Sequence, residues 1–123
     1  MAEAVADGAR QAGADVDLIE ASEFDTSSVG NYDALAFGCP AMGAEQLDDS
    51  VFEPMFSAVE GSLNGKKVGL FGSYGWGDGQ WMRDWQDRVN ADCANLVQDG
   101  VIANNVPDDA ALAECNALGA ALA

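Results

Sequence analysis

Apolar and polar positions recur along the chain with two different periods. Residues 1–12 place Val5, Ala9 and Ala12 on one side at spacings of three and four, part of an amphipathic helix for which Gly13 supplies the stop. Residues 14–19 alternate charged with apolar side chains (Asp15, Val16, Asp17, Leu18), which predicts an edge strand with one face toward solvent. After an acidic, Ser-rich connection, residues 34–38 form a short continuous apolar run ended by Cys39-Pro40. That is the pattern of a strand covered on both faces, and Val68 to Gly72 repeats it. Between these runs, apolar residues at 51, 52, 55, 56 and 59 carry a helical repeat interrupted near its start by Pro54. Residues 80–89 carry another, with Trp81, Met82, Trp85 and Val89 on one face. Val97 to Ala103 is a further candidate strand, and Asp108 to Leu122, with an acidic first turn, a closing helix. Strands alternating with helices predict an α/β domain, a parallel sheet covered on both sides. An α/β unit normally opens with a strand, yet this chain opens inside a helix.

Composition narrows the picture. With 123 residues the chain is one domain, and an apolar fraction of 49% suits a folded one. Five basic residues against 21 acidic ones give a formal net charge of −16, which repels nucleic acid and anionic membrane surfaces. The same charge suits a basic protein partner or the solvating shell of a salt-adapted protein. Histidine is absent, which removes the imidazole base of hydrolytic triads and the commonest metal ligand. Cys39, Cys93 and Cys115 form no CxxC pair and are odd in number, so no metal site or disulfide framework is expected and a reducing cytosol fits. No apolar run approaches the ~20 residues of a membrane span and no basic segment leads into an apolar one at the start, so a cytoplasmic protein is expected.

In open parallel sheets a ligand sits beyond the carboxyl ends of the strands. Two loops there stand out, Cys39-Pro40-Ala41-Met42-Gly43-Ala44-Glu45 and Gly72-Ser73-Tyr74-Gly75-Trp76-Gly77-Asp78-Gly79. The glycines let backbone approach a ligand closely, and Met42 and Trp76 could clamp a flat conjugated ring between them. Each residue also has an ordinary explanation. Met42 could fill the core, Glu45 could be solvated rather than bonded to a ring nitrogen, Cys39 could be a packed thiol, and Trp81 and Trp85 are expected in the core.

The segments Gly38-Cys39-Pro40-Ala41-Met42-Gly43, Gly65 through Gly77 and Trp81-Met82-Arg83 closely resemble the short-chain flavodoxins of anaerobic bacteria, a likeness that runs over essentially all 123 residues. The resemblance implies a flavodoxin-like five-stranded parallel sheet of order 2-1-3-4-5 that holds FMN non-covalently and carries single electrons between redox enzymes; the chain's acidity then predicts a low potential. It implies that Met42 lies on the inner face of the flavin and Trp76 stacks on the outer face. The Gly43 carbonyl would turn toward N5 on one-electron reduction, and Glu45 would accept from N3–H. Backbone groups of Ala41, Ser73, Tyr74, Gly75 and Gly77 would line the ring and ribityl chain, with Asn105 a further neighbour. Two departures bear on this: Ala44 stands where members often carry Asp, Gly or Ser, and Pro40 where some offer a Ser hydroxyl to the phosphate.

The family's first strand and its Ser-Gly-Thr-Gly-Asn-Thr type phosphate loop have no counterpart before Met1-Ala2-Glu3, so residues 1–123 are expected to form an N-terminally incomplete domain. Met1 would then be an internal methionine taken for the start; otherwise the chain borrows a strand from a partner or second copy, or closes over the gap and loses the flavin. The expected activity is electron transfer without substrate turnover, with redox partners that present basic docking surfaces, no nucleic acid, no membrane, and a monomer unless a strand is shared. The alternatives are an interaction module of the same fold without FMN, and an FMN-dependent reductase, for whose second pocket no long insertion is visible.

Overall fold

The structure is a computed structural model that describes residues 1–41, 46–75 and 77–123. Its elements run α1 (Ala2–Gln11), β1 (Ala34–Gly38), α2 (Phe52–Val59), β2 (Lys67–Tyr74), α3 (Gln80–Ala91), β3 (Asn95–Leu96), β4 (Val101–Asn104) and α4 (Asp109–Leu122), with short 3-10 turns at Ala21–Glu23, Thr26–Asn31 and Glu60–Ser62. All strand pairings are parallel. β1 runs beside β2 in the register Ala34↔Lys67 to Gly38↔Phe71. The other edge of β2 carries β3 at Lys67–Val68 and β4 at Phe71–Tyr74, one edge strand broken at residues 97–100. The break coincides with a contact from α3: Gly100 N–H donates to Gln86 Oε1 at 2.6 Å, and a side chain at 100 would collide with Met82.

Both faces of β2 are covered, which explains its continuous apolar run. Val68 and Leu70 face a core built with Phe37, Phe52, Phe56, Val59, Trp81, Trp85 and Val89 from the α2/α3 side. Gly69 and Phe71 face α1 and α4, whose Val5, Cys115 and Leu118 form a second cluster with Val101. α1 and α4 approach backbone to backbone. A Cβ on Gly8 would overlap the Asn116 carbonyl oxygen, one on Gly119 would overlap that of Val5, and Asn116 Nδ2 donates to Ala4 O at 3.1 Å. Asp108 caps α4, its Oδ1 accepting from Ala111 N–H at 2.8 Å. Pro54 falls in the first turn of α2, where it is tolerated.

The expected edge strand at 14–19 is not formed. Residues 14–20 enter no ladder, and Leu18 and Ile19 stay exposed at 52% and 42%. Alternation marks a chain suited to a strand, but a strand also needs a neighbour. Among the described residues β1 pairs with β2 alone, so nothing lies beside 14–20 to pair with it. The segment is tied instead by a side chain, Tyr32 Oη donating to Asp17 Oδ2 at 2.7 Å. Of the order 2-1-3-4-5, the described strands supply the last three positions. No helix is long and apolar enough to cross a membrane among the described residues.

Candidate flavin site at the carboxyl ends of β1 and β2

The two loops singled out in the sequence meet where β1 and β2 end. Pairing continues past the strands: Cys39 N–H donates to Phe71 O at 3.1 Å and Ala41 N–H to Ser73 O at 2.9 Å. The turn is also held from above, because Trp81 Nε1 of α3 donates to the Cys39 carbonyl at 3.2 Å in a buried contact. Gly72 lies directly beneath that carbonyl, where a Cβ would overlap it. On the far side of the turn, Asp48 N–H donates to Cys39 Sγ at 3.5 Å, while Asp48 Oδ2 accepts from the N–H groups of Val51 and Phe52, each at 3.0 Å, and so caps the start of α2. Those donated N–H groups hold the Asp48 carboxyl below the ordinary carboxylate range. Burial pushes the Cys39 thiol up, which leaves it a neutral packed group.

A third loop joins the rim. Asn105 adopts a left-handed conformation, φ 57°, and its N–H donates to Tyr74 O at 2.7 Å. The Tyr74 ring tilts against Trp81 with centroids 5.4 Å apart. The Gly-rich loop turns through left-handed Gly77 and Gly79 into α3, and Arg83 fastens it by donating to Asp78 O, Asp78 Oδ1 and Gln80 Oε1 at 3.2, 3.0 and 2.8 Å. Behind the rim, Arg88 straps α2 to α3. Its Nη1 donates to Glu53 at 2.8 Å, its Nε and Nη2 to Glu60 at 2.8 and 2.9 Å, and its guanidinium lies 4.9 Å from the Phe56 ring centroid. Asp92, at the end of α3, has its carboxyl raised by burial and by Glu60 beside it.

Ala41, Ser73, Tyr74 and Gly75 are therefore brought together at one rim, with Gly77 next to them and Asn105 against Tyr74. Met42, Gly43, Ala44, Glu45 and Trp76 lie outside the described residues. Trp81 and Trp85 are buried at 2% exposure each, as expected for the core, but the reading of Trp81 as filler missed its bond to Cys39 O. Asp48 was missed altogether. Its signal was available: an Asp a few residues ahead of an apolar helical repeat is a capping residue by type and place. Among the described residues no group of three or more His, Cys, Asp or Glu could hold a metal ion. Glycine backbone, a hydroxyl and neutral amide groups over a buried indole fit a flat uncharged heterocycle such as the flavin ring.

An open parallel sheet with helices on both faces and joined loops at the carboxyl ends of neighbouring strands is the arrangement in which doubly wound α/β proteins bind nucleotides and flavins. A family model described as flavodoxin matches residues 1–118. The chain is 43% identical over 123 residues to the flavodoxin of Megasphaera elsdenii, covering all of itself and 88% of that protein. It is 46% identical over 110 residues to the flavodoxin of Clostridium beijerinckii, covering 89% of itself and 80% of that protein. The solution structure of two-electron reduced Megasphaera elsdenii flavodoxin superposes with a TM-score of 0.85 at 41% identity, over 99% of this chain and 91% of that one. This chain belongs to the flavodoxin family, and it is an FMN-binding electron-transfer protein.

Proposed function

We propose that the flavin ring lies across the joined rim, with Met42 on its inner face and Trp76 on its outer face, in a carrier of single electrons at low potential. FMN supplies the one-electron redox chemistry; the chain supplies place and field. The observation that carries the reading is the Ala41 N–H bond to Ser73 O, which fixes the two loops against each other where the resemblance puts the ring. Ala41, Ser73, Tyr74, Gly75 and Gly77 then line it through backbone groups. Two of these carbonyls are already engaged, that of Ser73 by Ala41 and that of Tyr74 by Asn105, so both residues hold the rim as well as face it. Gly43 supplies a carbonyl toward N5, Glu45 accepts from N3–H, and Ala44 sits in the same turn.

Low potential follows from charge. With 21 acidic residues against five basic ones, added negative charge at the rim is raised in energy, since unit charges ~4 Å apart interact by about 4 kcal/mol at an effective dielectric of about 20. The same field steers the protein toward redox partners with basic docking surfaces, and salt weakens the steering. The buried, neutral thiols of Cys39 and Cys115 and the exposed free thiol of Cys93 suit a reducing cytoplasm.

The test is Trp76→Ala with FMN affinity read by quenching of flavin fluorescence. Loss of one aromatic stack should loosen FMN by about 1 kcal/mol, roughly fivefold. Unchanged affinity would remove Trp76 from the site.

A further inference from the structure

The open edge of the sheet next to the flavin rim has the makings of a strand-docking surface. β4 bonds to β2 on one side only, and among the described residues no strand covers its other side. Because Asn105 N–H donates to Tyr74 O and Tyr74 is in register with Asn104, the parallel ladder turns the N–H and C=O of Ile102 and Asn104 outward. Unpaired edges are commonly blunted by charged side chains. Here residues 100–107 contain none, and Ile102 and Val106 are exposed at 37% and 85%. Alongside them lies a cavity of about 280 Å³ lined by Ile102, Asn104, Val106, Asp108, Ala110 and Glu114. Its lining mixes aliphatic Ile102, Val106 and Ala110 with two carboxylates, and no Lys or Arg lines it.

We propose that this edge receives an extended segment of a redox partner protein in which aliphatic residues are flanked by lysine or arginine. The added strand pairs with the backbone of Ile102 and Asn104, an aliphatic side chain seats against Val106 and Ala110, and the flanking cations meet Asp108 and Glu114. Charge complementarity selects a basic segment, and the outward backbone groups select an extended one. The place also makes functional sense. β4 leads straight into Asn105, which bonds the Tyr74 carbonyl, so a partner held here lies beside the flavin rim. In this the proposal rests on the electron-carrier reading.

The test titrates the FMN-loaded protein, its flavin absorbance confirmed, with the peptide acetyl-Lys-Val-Val-Val-Lys-amide, followed by amide NMR. The control peptide acetyl-Lys-Ser-Ser-Ser-Lys-amide carries the same charge. The expected result is saturable shifts and slowed exchange at the Ile102 and Asn104 amides, with the serine peptide and the Val106→Ser variant each binding about tenfold more weakly. Equal binding of the two peptides, or shifts elsewhere on the acidic surface, would overturn the proposal. If loading with FMN fails but the Ile102 and Asn104 amides of the unloaded protein still respond, docking stands and the electron-carrier reading falls. A flavin-loaded protein with silent amides sinks the docking proposal and leaves the electron carrier standing.

Discussion

Gly72→Ala is the sharpest probe of how the site is held. An added methyl would overlap the Cys39 carbonyl oxygen and lie 3.1 Å from its carbon and 3.2 Å from Trp81 Cζ2, where ordinary contact begins at 3.4 Å. The carbonyl must withdraw by about 1 Å to restore contact distance. It has little freedom to do so, because Cys39 N–H is bonded to Phe71 O and Ala41 N–H to Ser73 O. Clearing the methyl distorts the 3.2 Å bond from Trp81 Nε1 to that carbonyl, and a typical intramolecular hydrogen bond contributes about 1 kcal/mol. Overpacking of the strand adds about 1–3 kcal/mol. The sum, about 2–4 kcal/mol, is a large part of an ordinary domain's stability of about 5–15 kcal/mol. Urea unfolding should show the loss as a lowered midpoint, and FMN should dissociate at least about tenfold more readily because the 39–41 turn has moved. Gly61→Ala is the control, since a Cβ there meets nothing within 4 Å, and it should stay within about 0.5 kcal/mol of the parent. A Gly72→Ala protein as stable as that control, with FMN affinity intact, would refute the account of the turn.

Three other outcomes are expected. Gly119→Ala should force α4 off the Val5 carbonyl of α1 and lower stability by about 1–3 kcal/mol in the same unfolding assay, with FMN affinity little changed because the flavin rim is not part of that contact. Arg88→Met keeps an apolar stem over Phe56 but leaves Glu53, Glu60 and Asp92 without their cation; with Glu53 38% exposed the loss is about 1–2 kcal/mol at neutral pH, and it should shrink as acid neutralises the carboxylates. Asp92 has a carboxyl pKa raised in the fold by burial and by Glu60, against the lowering pull of Arg88, so it favours the fold below its unfolded value and that advantage is lost as pH rises through the folded one. Asp92→Asn cannot lose a proton, so its stability relative to the parent should rise as pH climbs above the ordinary carboxylate value of about 4; a gap that does not widen with pH would show that Asp92 is not perturbed.

The elements that could be read from the sequence are those whose signal is local. A continuous apolar run of five residues between polar turns can only be a covered strand or a short buried helix, and Cys39-Pro40 at its end decides for the strand at 34–38. Trp81 and Trp85, four apart, announced the buried face of α3, and the acidic first turn ahead of an Ala/Leu repeat announced α4. What could not be read depends on something distant. The alternation at 14–19 has the right period and no strand to pair with. Val97 to Ala103 reads as one strand, but strand forms only at Asn95–Leu96 and Val101–Asn104, because Gln86, fourteen positions before Gly100, captures the Gly100 amide. The bond from Trp81 to Cys39 spans 42 positions, and no pattern in either segment signals it. For the site, spacing alone suggested a clamp of Met42 and Trp76, and only the family resemblance named the ring.

β2 is the one described strand with neighbours on both edges, and the rim hangs from its end. The Ser73 and Tyr74 carbonyls there are each anchored by a donor on an adjoining loop, and that of Cys39 by an indole. Dipoles anchored in this way do not swing when charge arrives beside them. With the flavin seated as proposed, an electron entering or leaving leaves these three carbonyls in place, and a small rearrangement of this part of the rim favours rapid traffic in both directions.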